Sequence, residues 1–512
     1  MDRRKFLQTG AALVAGTMLS RSIHATENRT TGTFQPEKII LPGTPLWQWS
    51  ASELAHGIRA GDISSYEAVS SCFSRIDQVN PKLNAIVVLI REKALKNARL
   101  ADKIRGQGKT LPPLHGVPIS VKCNVDVSGE VNSSGGVRTL MNNVAKENSP
   151  EIQSMVNAGA IIVGLSNCPE FAFRWFTENP SYGRTLNPRN AEITPGGSSG
   201  GAASSVAAGM VPIGHGNDIA GSVRYPAYVC GVVGMRPTAG RVASYNASSH
   251  GGKSFAGQFI AMQGPLTRTV ADNRLALQAM SGGSYLDPNW VNVPLNSPGD
   301  VPEVVGMVTE LEGVNLSPDV IQSVKKAGMW LSKAGYEVVE IQLPDFQKAM
   351  DTWLRIVMTE MKALSLWEKI QQDGSPEVIN AVRGMLSGTP ETSMAQYMMA
   401  IATRDDIRRS WGKMFSRYPA VIMPVSAQPP MYWGSDQKGD EAMRHMLNVQ
   451  SPLMAVAVTG FPAISVPTGL DRNKLPEGVQ IIADSFREDI CYNVASVIER
   501  AAGMPDAFGL GI

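Results

Sequence analysis

From Trp47 to Arg105 apolar positions recur at helical spacing. Val69, Cys72, Phe73 and Ile76 fall at i, i+3, i+4 and i+7, one face of a helix. Ser64 and Glu67 stand ahead of that run at the spacing of a capping box, in which each side chain accepts the other residue's backbone N–H. They predict a helical arm over about 47–105, ended by the polar turn RGQGKTLPPLHG.

Beyond that turn the period changes to two. In GVPISVKCNV, Val117, Ile119, Val121 and Cys123 alternate with Pro118, Ser120, Lys122 and Asn124, which predicts a strand with one polar face. SPEIQSMVNAGA (149–160) predicts a capped helix, and IIVGLSN the next strand. Small residues over 200–209 suit a closely packed helix, followed by the strand MVPIGHG. YPAVIMPVS (418–426) and PAISVPTG (462–469) are further strands, the second leading into LPEGVQIIAD. Helix and strand thus alternate in an α/β rhythm. The stretch from about 302 to 450, rich in Met and Trp, predicts a variable helical insertion. No repeat or linker divides the chain.

Composition adds little to this picture and removes several classes. In 512 residues, 43% are hydrophobic and 18% charged, as in ordinary globular proteins. Gly 49 and Pro 33 suit many tight strand-to-helix turns. The formal net charge of +2 is concentrated at the start, where Arg3, Arg4, Lys5 and Arg21 face only Asp2. The remainder offers no footprint for nucleic acid and no basic membrane patch. Five cysteines (Cys72, Cys123, Cys168, Cys230 and Cys491) form no C-x-x-C pair and read as small buried residues, with one disulfide left open for an exported protein.

Export is read from residues 1–25. A basic start, an apolar run from Gly10 to Leu19 and a small residue at Ala25 make a signal peptide. The apolar run is too short for a membrane span, which takes about 20 residues. Arg3-Arg4-x-Phe6-Leu7 resembles a twin-arginine signal. The mature chain would then be 26–512, periplasmic or secreted.

Two glycine-rich stretches carry the candidate chemistry. Gly196-Gly197-Ser198-Ser199-Gly200 satisfies G-x-S-x-G, the pattern of a hydrolase nucleophile elbow. That reading requires a downstream acid and histidine, and His215, His250 and His445 are poorly placed for it. It also requires a preceding strand, and NPRNAEITPGG is none. In GNDIAGSVRYPA, the consecutive amides of Ile219, Ala220, Gly221 and Ser222 form a candidate oxyanion nest beside the Ser222 hydroxyl. With histidine scarce, a buried lysine of lowered pKa is a candidate base, and Lys122 on its strand is one. Asp218 and Arg224 flank the nest as a surface ion pair or as a support holding the loop.

GVPISVKCNVDVSG, the long motif from Asn187 to Val242, TGFPAISVPTG and LPEGVQII together resemble the amidase signature family over nearly the whole mature chain. The resemblance implies a single large α/β domain with a central, mostly parallel, twisted mixed sheet covered by helices on both faces. It implies a relay in which Lys122, Ser198 held by a cis peptide after Gly197, and the nucleophile Ser222 cleave an amide through an acyl-enzyme. Ser199 then shapes the loop, and neither metal nor cofactor takes part. The expected partner is a small-molecule carboxamide, with a monomer or homodimer as the assembly. Cys123 replaces the family's usual aspartate, Asn217 a common threonine and Ala220 a usual glycine, so the oxyanion hole is expected to be shaped differently. Trp353, Met358, Met361, Trp367, Met398 and Trp411 are either helix core or walls of an apolar acyl pocket, with Phe171 to Asn179 as further aromatic surface. Three alternatives stand beside this reading: an esterase using His250 or His445, a component of a transamidation complex that works on aminoacyl-tRNA, and an inactive amide-binding relative.

Overall fold

The computed structural model describes residues 43–249, 252–295 and 302–503. The expected signal peptide and His250 lie outside the described residues. In chain order the strands are β1 (Ile86–Leu89), β2 (Pro118–Lys122), β3 (Ile161–Ser166), β4 (Ile213–Asp218), β5 (Val233–Arg236) and β6 (Met262–Thr267). They continue as β7 (Val304–Met307), β8 (Glu337–Glu340), β9 (Ala420–Pro424), β10 (Ala463–Leu470) and β11 (Pro476–Ala483). Among the described residues they form one sheet in the order β1-β3-β2-β4-β6-β5-β10-β11-β9-β7-β8. The single α/β domain expected from the sequence is therefore present.

The sheet is mixed but not mostly parallel. Only β2–β3, β2–β4, β7–β8 and β7–β9 are parallel; the other six neighbouring pairs run antiparallel. The chain turns straight back between β10 and β11 through Asp471–Leu475, a short connection that only antiparallel strands permit.

The arm is helical as expected, with helices Ala51–Ala60, Ser65–Leu83 and Arg91–Arg105. The Ser64–Glu67 capping box forms: the Glu67 amide donates to Ser64 Oγ at 3.0 Å and the Ser64 amide to Glu67 Oε2 at 2.8 Å. The arm also contributes the edge strand β1, a four-residue apolar run too short to show a period. Likewise the 302–450 stretch is not simply a helical insertion. It first extends the sheet with β7 and β8 around the helix Pro318–Lys333, then stacks the helices Phe346–Ala363, Pro376–Ser387 and Met394–Phe415, and returns to the sheet as β9.

The polar face expected of β2 does not meet water. β2 is flanked on both sides by parallel strands, and every residue from Pro118 to Lys122 is buried. Such doubly covered strands carry polar residues only where something inside the protein uses them. The helix Gly200–Ala207, buried along its whole length, packs against β2 and β4. All five cysteines are buried free thiols, with the Cys123 and Cys168 sulfurs 3.5 Å apart. No helix among the described residues is long and apolar enough to cross a membrane.

Candidate active site

β2 and β4 run parallel side by side, so their carboxyl ends bring Lys122 next to Asn217 and Asp218. Lys122 is 0% exposed, and burial pulls its pKa down to about 8. Its Nζ lies 2.7 Å from Ser198 Oγ and 2.7 Å from Asn217 Oδ1. The asparagine noted only as a replacement for threonine is thus an acceptor for the lysine. Its amide nitrogen donates in turn to Asn124 Oδ1 at 3.0 Å.

Ser198 is presented by a loop with no spare room. The Gly197–Ser198 peptide is cis. A Cβ on Gly197 would fall 2.3 Å from the Arg174 carbonyl oxygen, so the backbone of 174–176 passes where a side chain would stand. Thr177 Oγ1 donates to the Gly196 carbonyl at 2.8 Å, and the Gly200 amide donates back to that hydroxyl at 3.2 Å. Ser199 shapes this loop: its amide donates to the Ser222 carbonyl at 3.2 Å and its hydroxyl to the Asn217 carbonyl at 3.3 Å. These bonds set the 198–199 turn beside Ser222.

The second loop hangs on Asp218. Its carboxylate accepts from the amides of Gly221, Val223 and Arg224 and from Arg224 Nε and Nη2, all between 2.8 and 3.3 Å. Burial alone would raise its pKa, but Arg224 and Arg236 outweigh that and hold it below the usual carboxylate range. Both side chains of the Asp218–Arg224 pair are fully buried, so the surface ion pair is excluded and the supporting role is what the geometry shows. Arg224 also donates to Gln480 Oε1 and the Leu453 carbonyl, and Arg236 to the Asp218 carbonyl.

This arrangement corrects the expected nest. The Gly221 amide is spent on Asp218 at 2.8 Å, so it does not face the cleft as a free donor. Ile219, Ala220 and Ser222 remain; none of their amides meets a protein acceptor among the described residues. Gly221 alone in the loop needs a left-handed φ, +91°, and a Cβ there would strike Leu453 at 2.4 Å. Ala220 has no positive φ, so the exchange of glycine for alanine leaves the backbone unstrained.

Two tryptophans, singled out in the sequence only as core or pocket surface, fix the loop. Trp353 Nε1 donates to the Ile219 carbonyl at 2.8 Å and Trp175 Nε1 to the Ala220 carbonyl at 3.0 Å. The first bond turns the Ala220 N–H away from Trp353, because the two ends of a peptide unit point oppositely. A buried indole needs an acceptor, but sequence alone does not say which.

Around these residues lies a cleft of two chambers sharing Ala172, Phe173 and Ile219. The chamber at Ser222 is apolar, walled by Phe173, Trp175, Trp353 and Met385. The one at Ser198, about 320 Å³, is polar and bordered by Asn124, Ser244, Tyr245, Asn246, Lys253 and Gln263. Of the large apolar residues singled out in the sequence, Trp353 reaches the cleft. Met358, Met361 and Trp411 are core, Trp367 packs half-buried against it, and Met398 is exposed. No described histidine lines either chamber: His445 is exposed on its helix, and His215 is buried on β4. The esterase alternative therefore finds no base among the described residues, and His250 lies outside them.

An α/β frame that buries a lysine against a serine, beside free amides in a cleft, defines an amide-bond hydrolase. The chain belongs to the amidase family, whose model, described as Amidase, matches residues 67–491. It is 39% identical over 466 residues to an indoleacetamide hydrolase of Bradyrhizobium diazoefficiens, covering 90% of this chain and 88% of that one. It is 33% identical over 481 residues to one component of a glutamyl-tRNA(Gln) amidotransferase of Prochlorococcus marinus, covering 88% and 96%. Among solved structures it superposes on a bacterial aryl acylamidase of the amidase signature enzymes with a TM-score of 0.77 and 26% identity, covering 90% and 97%. The chain is an amidase acting on amide bonds, as the motifs led one to expect.

Proposed function

We propose that this protein hydrolyses carboxamides of apolar, arylacetyl-type acids through an acyl-enzyme on Ser222. The observation that carries the reading is the buried Lys122 Nζ at 2.7 Å from Ser198 Oγ, on a loop bonded to Ser222. Neutral Lys122 accepts the Ser198 proton while one of its N–H groups donates to Asn217. Ser198 takes the proton of Ser222 as the Ser222 oxygen attacks the carbonyl carbon. The amides of Ile219, Ala220 and Ser222 receive the developing oxyanion, each worth a few kcal/mol at about 3 Å. The relay returns the proton to the leaving nitrogen, and water then releases the acid. The aromatic chamber at Ser222 supports an aryl acyl group, and the indoleacetamide hydrolase similarity points the same way.

Only deprotonated Lys122 can act as base, so kcat/KM for phenylacetamide is expected to rise with pH, reach half its limit at a pH of about 8 and level off beyond it. A profile flat from pH 6 to 9 would remove Lys122 from the role of base. Export is part of the same proposal, resting on the Arg3-Arg4 signal. Residues 1–25 fused to a folded reporter should carry it out of the cytoplasm, and replacing Arg3-Arg4 by Lys-Lys should retain it inside. A reporter that stays in the cytoplasm with the arginines present would refute export.

A further inference from the structure

The leaving nitrogen must be protonated by Ser198, so the amine part of a substrate lies on the Ser198 side of the scissile bond. That side is the larger, polar chamber, which has far more room than ammonia needs. The charged side chains lining it are Asp218 and Lys253, with Asp287 and Glu151 close enough to act on Lys253 through space. The Asp218 carboxylate at its edge is saturated by three amides and Arg224, and Lys122 is committed to the relay. Lys253 sits at the rim, donating to the Ser244 carbonyl, and no described carboxylate approaches its Nζ within ion-pairing distance. An ammonium has three donors, so two stay available to the cleft.

We propose that this chamber binds an amine bearing a carboxylate, held by Lys253, so that the substrates include N-acyl amino acids with an apolar acyl group. The proposal rests on the relay assignment above. Hydrolysis breaks the acyl C–N bond; the water oxygen joins the acyl carbon, and its protons leave on the amino acid nitrogen and to solvent. Asn124 ties this chamber to the relay, because its carbonyl oxygen positions Asn246 and its side chain positions Asn217. The polar surface beside Lys253 is therefore built on the same scaffold as the relay.

The test compares N-phenylacetylglycine with its uncharged counterpart N-phenylacetylglycinamide in the full-length protein and in Lys253→Gln. A charge-assisted hydrogen bond predicts a kcat/KM ratio favouring the acid by about tenfold or more. That ratio is expected to fall to near one in Lys253→Gln; any general loss cancels within it. A wild-type ratio near one, or a ratio that survives in Lys253→Gln, overturns the proposal. Turnover of phenylacetamide with none of either conjugate overturns it too, leaving the relay intact. Inert phenylacetamide brings down the relay reading and this inference together.

Discussion

Ser222→Ala is expected to lower kcat for phenylacetamide by roughly 10⁴- to 10⁶-fold while leaving the fold unchanged. The hydroxyl is the only group that forms a bond to substrate in the proposed route, and the loop around it is held by others. Asp218, Trp175 and Trp353 fix that backbone without touching the Ser222 side chain. Removing one oxygen therefore costs chemistry and little stability. Ser198→Ala and Lys122→Met are expected to fall nearly as far. The double variant Ser198→Ala/Ser222→Ala should fall no further than the worse single, because groups that pass one proton act as a unit. Ammonia release measured beside circular dichroism checks this. Activity in Ser222→Ala within about tenfold of wild type would place the nucleophile elsewhere.

Asp218→Ala is expected to cost about 3–5 kcal/mol in unfolding free energy, because it strands two guanidinium groups with no exposure to water. It also frees the amides of Gly221, Val223 and Arg224 from their common acceptor. Adding Arg224→Met should recover part of the loss, since a buried pair removed together is cheaper than one half left behind. Denaturant titration of the three variants reads both effects. Equal losses in the single and double variants would show that the charge pair is not what fixes the loop. The folded pKa of Asp218 is depressed to about 2, so its stabilisation is complete above its unfolded value, about 4, and fades as pH falls toward 2.

Much of this was legible in the sequence because the motifs concentrate it. The period-two run of β2 placed Lys122 on a strand, and the capping box placed the arm. What the sequence withheld was long-range pairing. β1, β7 and β8 are four-residue runs, too short for a period to register, and strand direction depends on connections that no local pattern encodes. Gly221 reads in sequence as one of four equivalent donors, and only the folded loop brings its amide onto the Asp218 carboxylate. Trp353 read in sequence first as core and second as pocket wall, and it is both, buried along its body and bonded at its edge to the loop.

Lys122, Ser198 and Ser222 all come from β2, β4 and the turns between residues 194 and 224, whereas Met385 comes from a separate helix beyond position 370. Part of the apolar wall beside Ser222 is thus carried by helices far along the chain from Lys122, Ser198 and Ser222, while Phe173, Trp175, Ile219 and Ala220 complete it from nearby. Recombining the 376–387 helix among relatives would therefore reshape one wall of that chamber without touching the residues that meet Lys122.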